Sequence, residues 1–436
     1  MKKYIFFVVG VMCTLLSHTA YAIDLNKSDA NIIGHVLEKK TGEHLSYMTV
    51  ALKGTTIGTM TDGTGHYFLK NLPEGEFTLS VSAVGYKPQE RKVTLKRGKT
   101  LEENFELEED MVALDGVVVT ANRNETARRL APTLVKVVTP KLFDMTNSHT
   151  LSQGLVFQPG VRVENDCQNC GYSQVRINGM DGKYTQILID SRPIFSALAG
   201  VYGLEQIPAN MIERVEVVRG GGSALFGSSA IAGTVNIITK EPLRNSGSFA
   251  HSISNFDGSG SFDNNTTLNL SLVSSDNKMG AYIYGQNRHR SAWDSNGDGF
   301  SELPKLKNQT VGINAYYRLN PYSKLNLEYH HMEEFRRGGN RFDLPPHIAE
   351  DANLNGSGEP GLVEQIEHSI NTGGLKFSAF SKDQKHSFNA YASAQHIVRD
   401  SYYSAYGHTT DFTGVLGAQY IYHFDKLFFM PSDLTG

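Results

Sequence analysis

Residues 214–240 read RVEVVRGGGSALFGSSAIAGTVNIITK. Val215, Val217 and Val218 form a β-branched strand that runs into Arg219 and three glycines, Gly220 to Gly222. Ser223, Ala224, Gly227, Ser228, Ser229, Ala230, Ala232 and Gly233 then keep the chain small, and a second β-rich run spans Thr234 to Thr239. Glycine at this density belongs to tight turns and close backbone approach, where larger side chains would collide. Three glycines suggest a phosphate cradle, but the Lys-Ser/Thr pair of a P-loop is missing.

Upstream, LSQGLVFQPG (Leu151 to Gly160) reads as a short helix and turn, followed by a strand at Val161 to Val163. QVRING (Gln174 to Gly179) and TQILID (Thr185 to Asp190) are further strands, and IPANMI (Ile207 to Ile212) reads as a helix. Two polar loops, Glu164 to Ser173 and Ser191 to Leu204, separate them. With Arg214 to Lys240, these segments closely resemble the plug domain of TonB-dependent outer-membrane receptors, placed here at 125–242. The resemblance implies a small α+β domain inside a β-barrel, with the polar loops forming an outward apex that touches substrate. Asn165, Gln168, Asn169, Tyr172, Arg192, Phe195 and Tyr202 are the expected contacts. Residues 114–121, LDGVVVTA, resemble a TonB box. Asp115, Gly116, Val117, Val118, Val119 and Thr120 would then pair by strand addition with the energising protein TonB. Taken alone, the same run is equally an ordinary linker strand.

The first 22 residues read as an export signal: Lys2 and Lys3, an apolar stretch from Tyr4 to Leu16, and Ala20-Tyr21-Ala22 before Ile23. The apolar stretch is too short for a spanning helix. Residues 31–108 hold about seven short strands, among them Ile32 to Val36, Thr49 to Leu52, and a hairpin joining Gly58–Thr61 to His66–Leu69. This predicts a small β-sandwich. Its run GTTIGTMTDGTGHYFLKNLPEGEFTLSVSAVGY (54–86) resembles the carboxypeptidase regulatory-like domain. That resemblance implies a non-catalytic accessory, as carried ahead of the plug by receptors of the Bacteroidetes type. His35 with Glu38, and His330 with Glu333, share the H-x-x-E spacing of zinc carboxypeptidases. On a strand, such residues do not share one face and no third ligand is evident, so they are expected to be surface positions.

From 246 to 436 the pattern acquires period two. Leu325, Leu327 and Tyr329 fall on one face, Lys324, Asn326 and Glu328 on the other; Ser387–Ala394 and Phe412–Tyr422 do likewise. Short turns near Ser275–Lys278, Asn320–Ser323 and Ser381–Lys385 alternate with polar stretches near Asn255–Asn265, Arg288–Lys307, Glu334–Glu367 and Asp400–Thr410. Short–long alternation with apolar-out strands is the pattern of an outer-membrane barrel. No long apolar helix follows the signal, so a membrane role rests on strands. The expected fold class is all-β dominated: a β-sandwich, an α+β plug, then the first part of an antiparallel transmembrane barrel. About eight strands and the start of a ninth are legible, whereas the resemblance implies a plugged barrel of about 22. The sequence is therefore expected to be the amino-terminal part of a longer receptor.

Within one long stretch, Asp294, Asn296, Asp298, Phe300 and Glu302 place oxygen ligands at alternate positions around Gly297 and Gly299. Calcium takes such ligands, although Lys305 stands where an EF-hand needs glutamate. The stretch reads either as a structural calcium loop of another type or as a solvated turn; Asp351 to Gly356 echoes it weakly. Cys167 and Cys170, the two cysteines beyond the signal, are expected to form a disulfide, since an exported chain meets oxidising conditions. A zinc site would need two more ligands of that kind.

The formal charge of −4 argues against a nucleic-acid partner. Twenty Tyr and 22 Phe against one Trp suit the aromatic girdles of a barrel. No nucleophile–base constellation appears, so no enzyme activity and no cofactor other than calcium are expected. The implied function is an outer-membrane receptor that binds a scarce nutrient outside and admits it to the periplasm, with the TonB complex and outer-membrane lipid as partners. The plug ending and acidic loop most resemble the cobalamin-receptor branch, with haem or ferric-siderophore receptors as the alternative. A secreted β-domain adhesion protein is the alternative of another class, and a zinc peptidase stands third.

Overall fold

The computed structural model describes residues 30–45, 48–62, 64–83, 86–109, 117–118, 126–127, 135–167, 172–192, 207–221, 230–351, 360–383, 385–427 and 430–435. The expected export signal lies outside them. None of the described helices is long and apolar enough to cross a membrane.

The amino-terminal module is a sandwich of eight strands. β1 (Ala30–Glu38), β4 (His66–Leu72), β7 (Thr100–Glu102) and β8 (Phe105–Leu107) make one four-stranded sheet. β2 (Thr49–Leu52), β3 (Gly58–Met60), β5 (Gly75–Ser82) and β6 (Gln89–Leu95) make the other. Alternate residues of both sheets, such as Ile32, Val50, Leu69, Leu79 and Phe105, fill the core between them. The expected hairpin across residues 62–65 does not form: β3 pairs with β2 and β4 with β1. Thr61 causes the change of sheet. Its buried hydroxyl donates to the Leu45 carbonyl at 2.8 Å and accepts from the Met48 amide at 2.9 Å, which pulls the chain across the edge.

Next come β9 (Val117–Val118) and β10 (Thr126–Ala127), a short antiparallel pair. The second domain is built on β11 (Val135–Val138), β14 (Thr185–Ile189), β15 (Ile212–Arg219) and β16 (Gly233–Thr239), in the order β11-β15-β16-β14. Helices α1 (Pro140–Met145) and α2 (Leu151–Leu155) pack on it, and β12 (Val161–Cys167) pairs with β13 (Tyr172–Ile177) beside it. The polar loop expected over Glu164–Ser173 is thus mostly hairpin, because both its flanks continue the ladder. The helix expected over Ile207–Ile212 shrinks to one 3-10 turn, Ala209–Met211.

The remainder is one nine-stranded antiparallel meander: β17 (Ser246–Asn255), β18 (Phe262–Val273), β19 (Met279–Arg290), β20 (Lys305–Asn320), β21 (Ser323–Gly339), β22 (Val363–Phe380), β23 (His386–Tyr403), β24 (Tyr406–Leu427) and β25 (Met430–Thr435). One side-chain parity is exposed and apolar: Leu268, Leu270 and Leu272 on β18, Val311, Tyr317 and Leu319 on β20, Leu325, Leu327 and Tyr329 on β21. The other parity is buried and largely polar, with Asp263, Asn265, Gln286, Arg288, Asn308 and Asn314 among it. A soluble sheet buries its apolar face; this sheet shows that face outward, as a lipid-facing wall does. At one end the strands join through tight turns such as 274–278 and 321–322, and at the other through 256–261, 291–304 and 340–362. The polar stretch Asp400–Thr410, expected as a connection between strands, is mostly strand. It forms no long loop, since β23 and β24 meet at the two residues 404–405. Tyr402 pairs with Tyr406, and Asp400 accepts from His408 at 2.6 Å across the ladder. Polar residues there sit on strands rather than in a loop.

Candidate functional site

The second domain is fastened to the inner face of the meander, and this seat organises the candidate site. Its apolar half is a core that joins both parts: Leu151, Leu155, Ile177, Val215, Val217, Val235 and Ile237 pack together with Tyr282 and Tyr284 of β19. Gly233, from the glycine-rich stretch, makes the close approach that such a motif demands. A Cβ there would lie 2.3 Å from the Val218 carbonyl oxygen and 2.9 Å from Ile177 Cδ1. Gly220 has φ +103°, a conformation that favours glycine. Positions 222–229 of the motif lie outside the described residues.

The polar half consists of hydrogen bonds from the domain to the wall. Asn210 Nδ2 donates to Asn269 Oδ1 at 2.9 Å, and Tyr282 Oη donates to the Asn210 carbonyl at 2.8 Å. Asn314 Nδ2 donates to Thr239 Oγ1 at 2.9 Å and to the Lys240 carbonyl at 3.1 Å. His149, just before α2, lies 3.2 Å from Ser252 Oγ on β17. Burial, reinforced by the Arg288 guanidinium, holds the His149 imidazole below its ordinary pKa.

One charged contact stands out. Arg192 is 4% exposed and forms an ion pair with Glu328 on β21, with Asp190 at 3.6 Å. The backbone aims it there. Asp190 and Ser191 both take left-handed φ, +47° and +66°, in a two-residue reversal that pairs Ile189 with Arg192. Asn236 of the motif locks that reversal: its Oδ1 accepts from the Ser191 amide at 2.9 Å and its Nδ2 donates to Ser191 Oγ at 3.1 Å. Asp190 is held in turn by the Thr239 amide at 3.0 Å and hydroxyl at 2.7 Å. Gly374 on β22 makes room, since a Cβ there would lie 2.5 Å from Glu328 Oε1 and 2.7 Å from an Arg192 terminal nitrogen. Burial opposes the charge on Arg192, but Glu328 and Asp190 outweigh it and raise its pKa.

The resemblance places Arg192 at a substrate-touching apex. Burial removes it from that role, because its guanidinium already faces two carboxylates. Phe195, Tyr202, Gln168, Asn169 and Cys170 lie outside the described residues. Asn165 and Cys167 occur on β12 and Tyr172 on β13, where Cys167 is the register partner of Tyr172. Of the candidate TonB box, Val117 and Val118 form β9, while Asp115, Gly116, Val119 and Thr120 lie outside the described residues. Sequence reasoning missed Asp190, Asn236, Glu328 and Gly374 as functional positions. The inward parity of Glu328 is the one signal available for any of them.

The acidic loop lies at the long-loop end of the meander and is closed by a bridge from Trp293 to Leu303. Asp294 accepts the amides of Gly297 at 2.7 Å and Gly299 at 2.8 Å through separate oxygens. Asn296 accepts the Asp298 amide at 2.9 Å, Asp298 accepts the Phe300 amide at 2.8 Å, and Glu302 accepts the Ser295 amide. Gly297 and Gly299 take φ +78° and +88°, which makes the sharp turns possible. Oxygens of Asp294, Asp298 and Glu302 lie within 4.8 Å of one another. Those three carboxylates fit a hard cation that takes oxygen ligands.

Comparison with known proteins agrees with this architecture. Residues 32–119 match the CarboxypepD_reg-like domain and residues 127–234 match the TonB-dependent Receptor Plug Domain. A vitamin B12 transporter BtuB of Vibrio vulnificus (strain YJ016) is 35% identical over 176 residues, 38% of this chain and 28% of that protein. The BtuB of Photobacterium profundum is 37% identical over 128 residues, 29% and 20% respectively. The fold is similar to that of the siderophore receptor PirA from Acinetobacter baumannii, with a TM-score of 0.57 at 19% identity over 71% of this chain and 48% of that one. It is also similar to the alcaligin receptor FauA from Bordetella pertussis, with a TM-score of 0.55 at 15% identity over 73% and 48%. The chain thus spans less than half the length of the receptors it matches.

Proposed function

We propose, for a chain that belongs by its plug domain, its amino-terminal module and its barrel sheet to the TonB-dependent outer-membrane receptors, that it takes up cobalamin across the outer membrane. The observation that supports the substrate is the 35% identity, over 176 residues, to a vitamin B12 transporter. Substrate binds on the long-loop side of the plug. TonB engages Asp115 to Thr120 by strand addition and pulls on the plug from the short-turn side. The cycle needs binding, release and movement of the plug, and no covalent step enters it.

Calcium enters the reading as a structural ion. Asp294, Asp298 and Glu302 would hold it, with Asn296 and the Phe300 backbone near, so that the loop is fixed before substrate arrives and less ordering remains to be done on binding. Cys167 and Cys170 form a disulfide in this account, closing a small ring at the β12–β13 tip. The test of the substrate is a competition assay on outer membranes carrying the receptor expressed from its complete gene. Labelled cyanocobalamin is displaced by unlabelled cobalamin and not by haem or a ferric siderophore. Binding of the iron ligands with no binding of cobalamin would overturn the assignment.

A further inference from the structure

Three imidazoles gather on the amino-terminal module, away from the plug seat. His35 on β1, His44 in the turn after β1 and His66 at the start of β4 have ring centroids 5.3 Å apart for 35–44, 5.8 Å for 35–66 and 4.9 Å for 44–66. We infer that these three histidines form a binding site for a borderline divalent cation of the zinc class.

Backbone contacts bring the three together. His35 is the register partner of His66 across β1 and β4. Leu37 forms a bridge with His44, and the Leu45 amide donates to the Val36 carbonyl at 2.8 Å. Gly65, at φ +78°, lets the chain pass His44: a Cβ there would lie 2.8 Å from the His44 Cβ. The position of each imidazole is therefore set by sheet pairing and one tight turn.

The spacing suits a metal. With metal–nitrogen bonds of about 2.0–2.1 Å in a tetrahedral arrangement, histidine ring centroids lie about 5 Å apart. The observed separations of 4.9 to 5.8 Å bracket that value. The hydrogen bonding suits it as well. Thr64 Oγ1 donates its one hydrogen to Asp62 Oδ1 at 2.7 Å and lies 3.1 Å from His66 Nδ1. Having given up its hydrogen, that hydroxyl accepts from Nδ1–H, which leaves the lone pair of His66 on Nε2. An imidazole oriented through its far nitrogen by a carboxylate relay is the usual outer support of a metal-ligating histidine. Imidazole-only ligation favours zinc, copper or nickel over calcium or magnesium.

Glu38, the partner suggested by the H-x-x-E spacing, takes no part, since its carboxylate accepts from Thr41 Oγ1 at 2.6 Å. Among the described residues, the ligand atoms already gathered within 4.8 Å are those of Asp294, Asp298 and Glu302. The rings of His35 and His44 must therefore turn about their χ2 bonds to close on an ion with Nε2 of His66. His44 is exposed and has solvent around it in which to turn. Three protein nitrogens leave a fourth position for water or an incoming ligand, and occupancy would staple the 39–45 turn to β4.

The experiment uses the mature chain in detergent with a tag free of histidine. Cobalt(II) is titrated and the visible spectrum recorded, and zinc affinity is then measured by competition in excess calcium. One equivalent of cobalt should give the strong absorption of a tetrahedral site, and zinc should abolish it. His44→Asn and His66→Asn should each weaken zinc binding about tenfold or more. Asp294→Asn with Asp298→Asn should leave it unchanged. His44 is exposed, so its variant keeps the fold, and unchanged zinc affinity in that variant would overturn the proposal. Absence of tetrahedral absorption at any cobalt concentration would overturn it too.

Discussion

At the scale of single residues, a buried guanidinium adds a charged latch to the hydrogen bonds that hold the plug on the wall. Arg192 faces Glu328 and Asp190 at 4% exposure. Removing one partner of such a pair strands the other charge and costs about 3–5 kcal/mol, while replacing both by apolar groups is often close to neutral. Arg192→Ala is therefore expected to let protease cut the plug at lower urea in detergent than in the parent protein. Arg192→Met combined with Glu328→Leu should restore most of the resistance. An equal loss in the double variant would mean that the two residues are not coupled. Sequence patterning reached half of this latch. Period two turned Glu328 inward on β21, because Leu327 and Tyr329 flank it. Its partner lies 136 residues earlier, and no local pattern encodes a contact at that distance.

At the scale of elements, the loop 291–304 and the start of α2 each carry a measurable consequence. Trp293, the one tryptophan of the chain, precedes Asp294 and stacks on Phe256 at 5.5 Å. Calcium binding by Asp294, Asp298 and Glu302 should therefore change the tryptophan fluorescence, and Asp298→Ala should remove the response. A flat calcium titration in the parent protein would reduce the loop to a solvated turn. His149 gives the pH dependence. Its folded-state pKa is lowered by burial and by Arg288, so the neutral ring is the one the plug seat accepts. Above the unfolded value of about 6.5 the ring is neutral in both states and the seat has its full stability. As pH falls below that value the unfolded chain takes the proton first, and the plug is destabilised. Urea midpoints should thus fall between about pH 7 and 5 more steeply in the parent than in His149→Gln. Matching slopes would refute this. Strands were legible at this scale wherever apolar and polar residues alternate between two unlike faces. The readings failed where that asymmetry lapses. Residues 400–410 are polar on strand, and Thr61 diverts the expected hairpin through a buried side-chain bond.

At the scale of the molecule, the barrel sheet holds both of the other parts. The amino-terminal module meets the short-turn end of the barrel sheet: the Thr56 amide donates to the Pro321 carbonyl at 2.8 Å and Arg318 Nε donates to the Thr56 carbonyl at 2.7 Å. The acidic loop lies at the opposite end, and the plug is held between. Val117 and Val118 fall in the chain between module and plug, ahead of β11. The most direct measurement is uptake of labelled cyanocobalamin by cells that lack their own cobalamin receptor and express this one from its complete gene. Uptake is expected in cells with a compatible TonB. It should fall to background when TonB is absent or when Asp115 to Thr120 are deleted, with surface binding of cobalamin retained in both. Uptake that persists without TonB and without those six residues, or no cobalamin binding in any of these cells, would contradict the account.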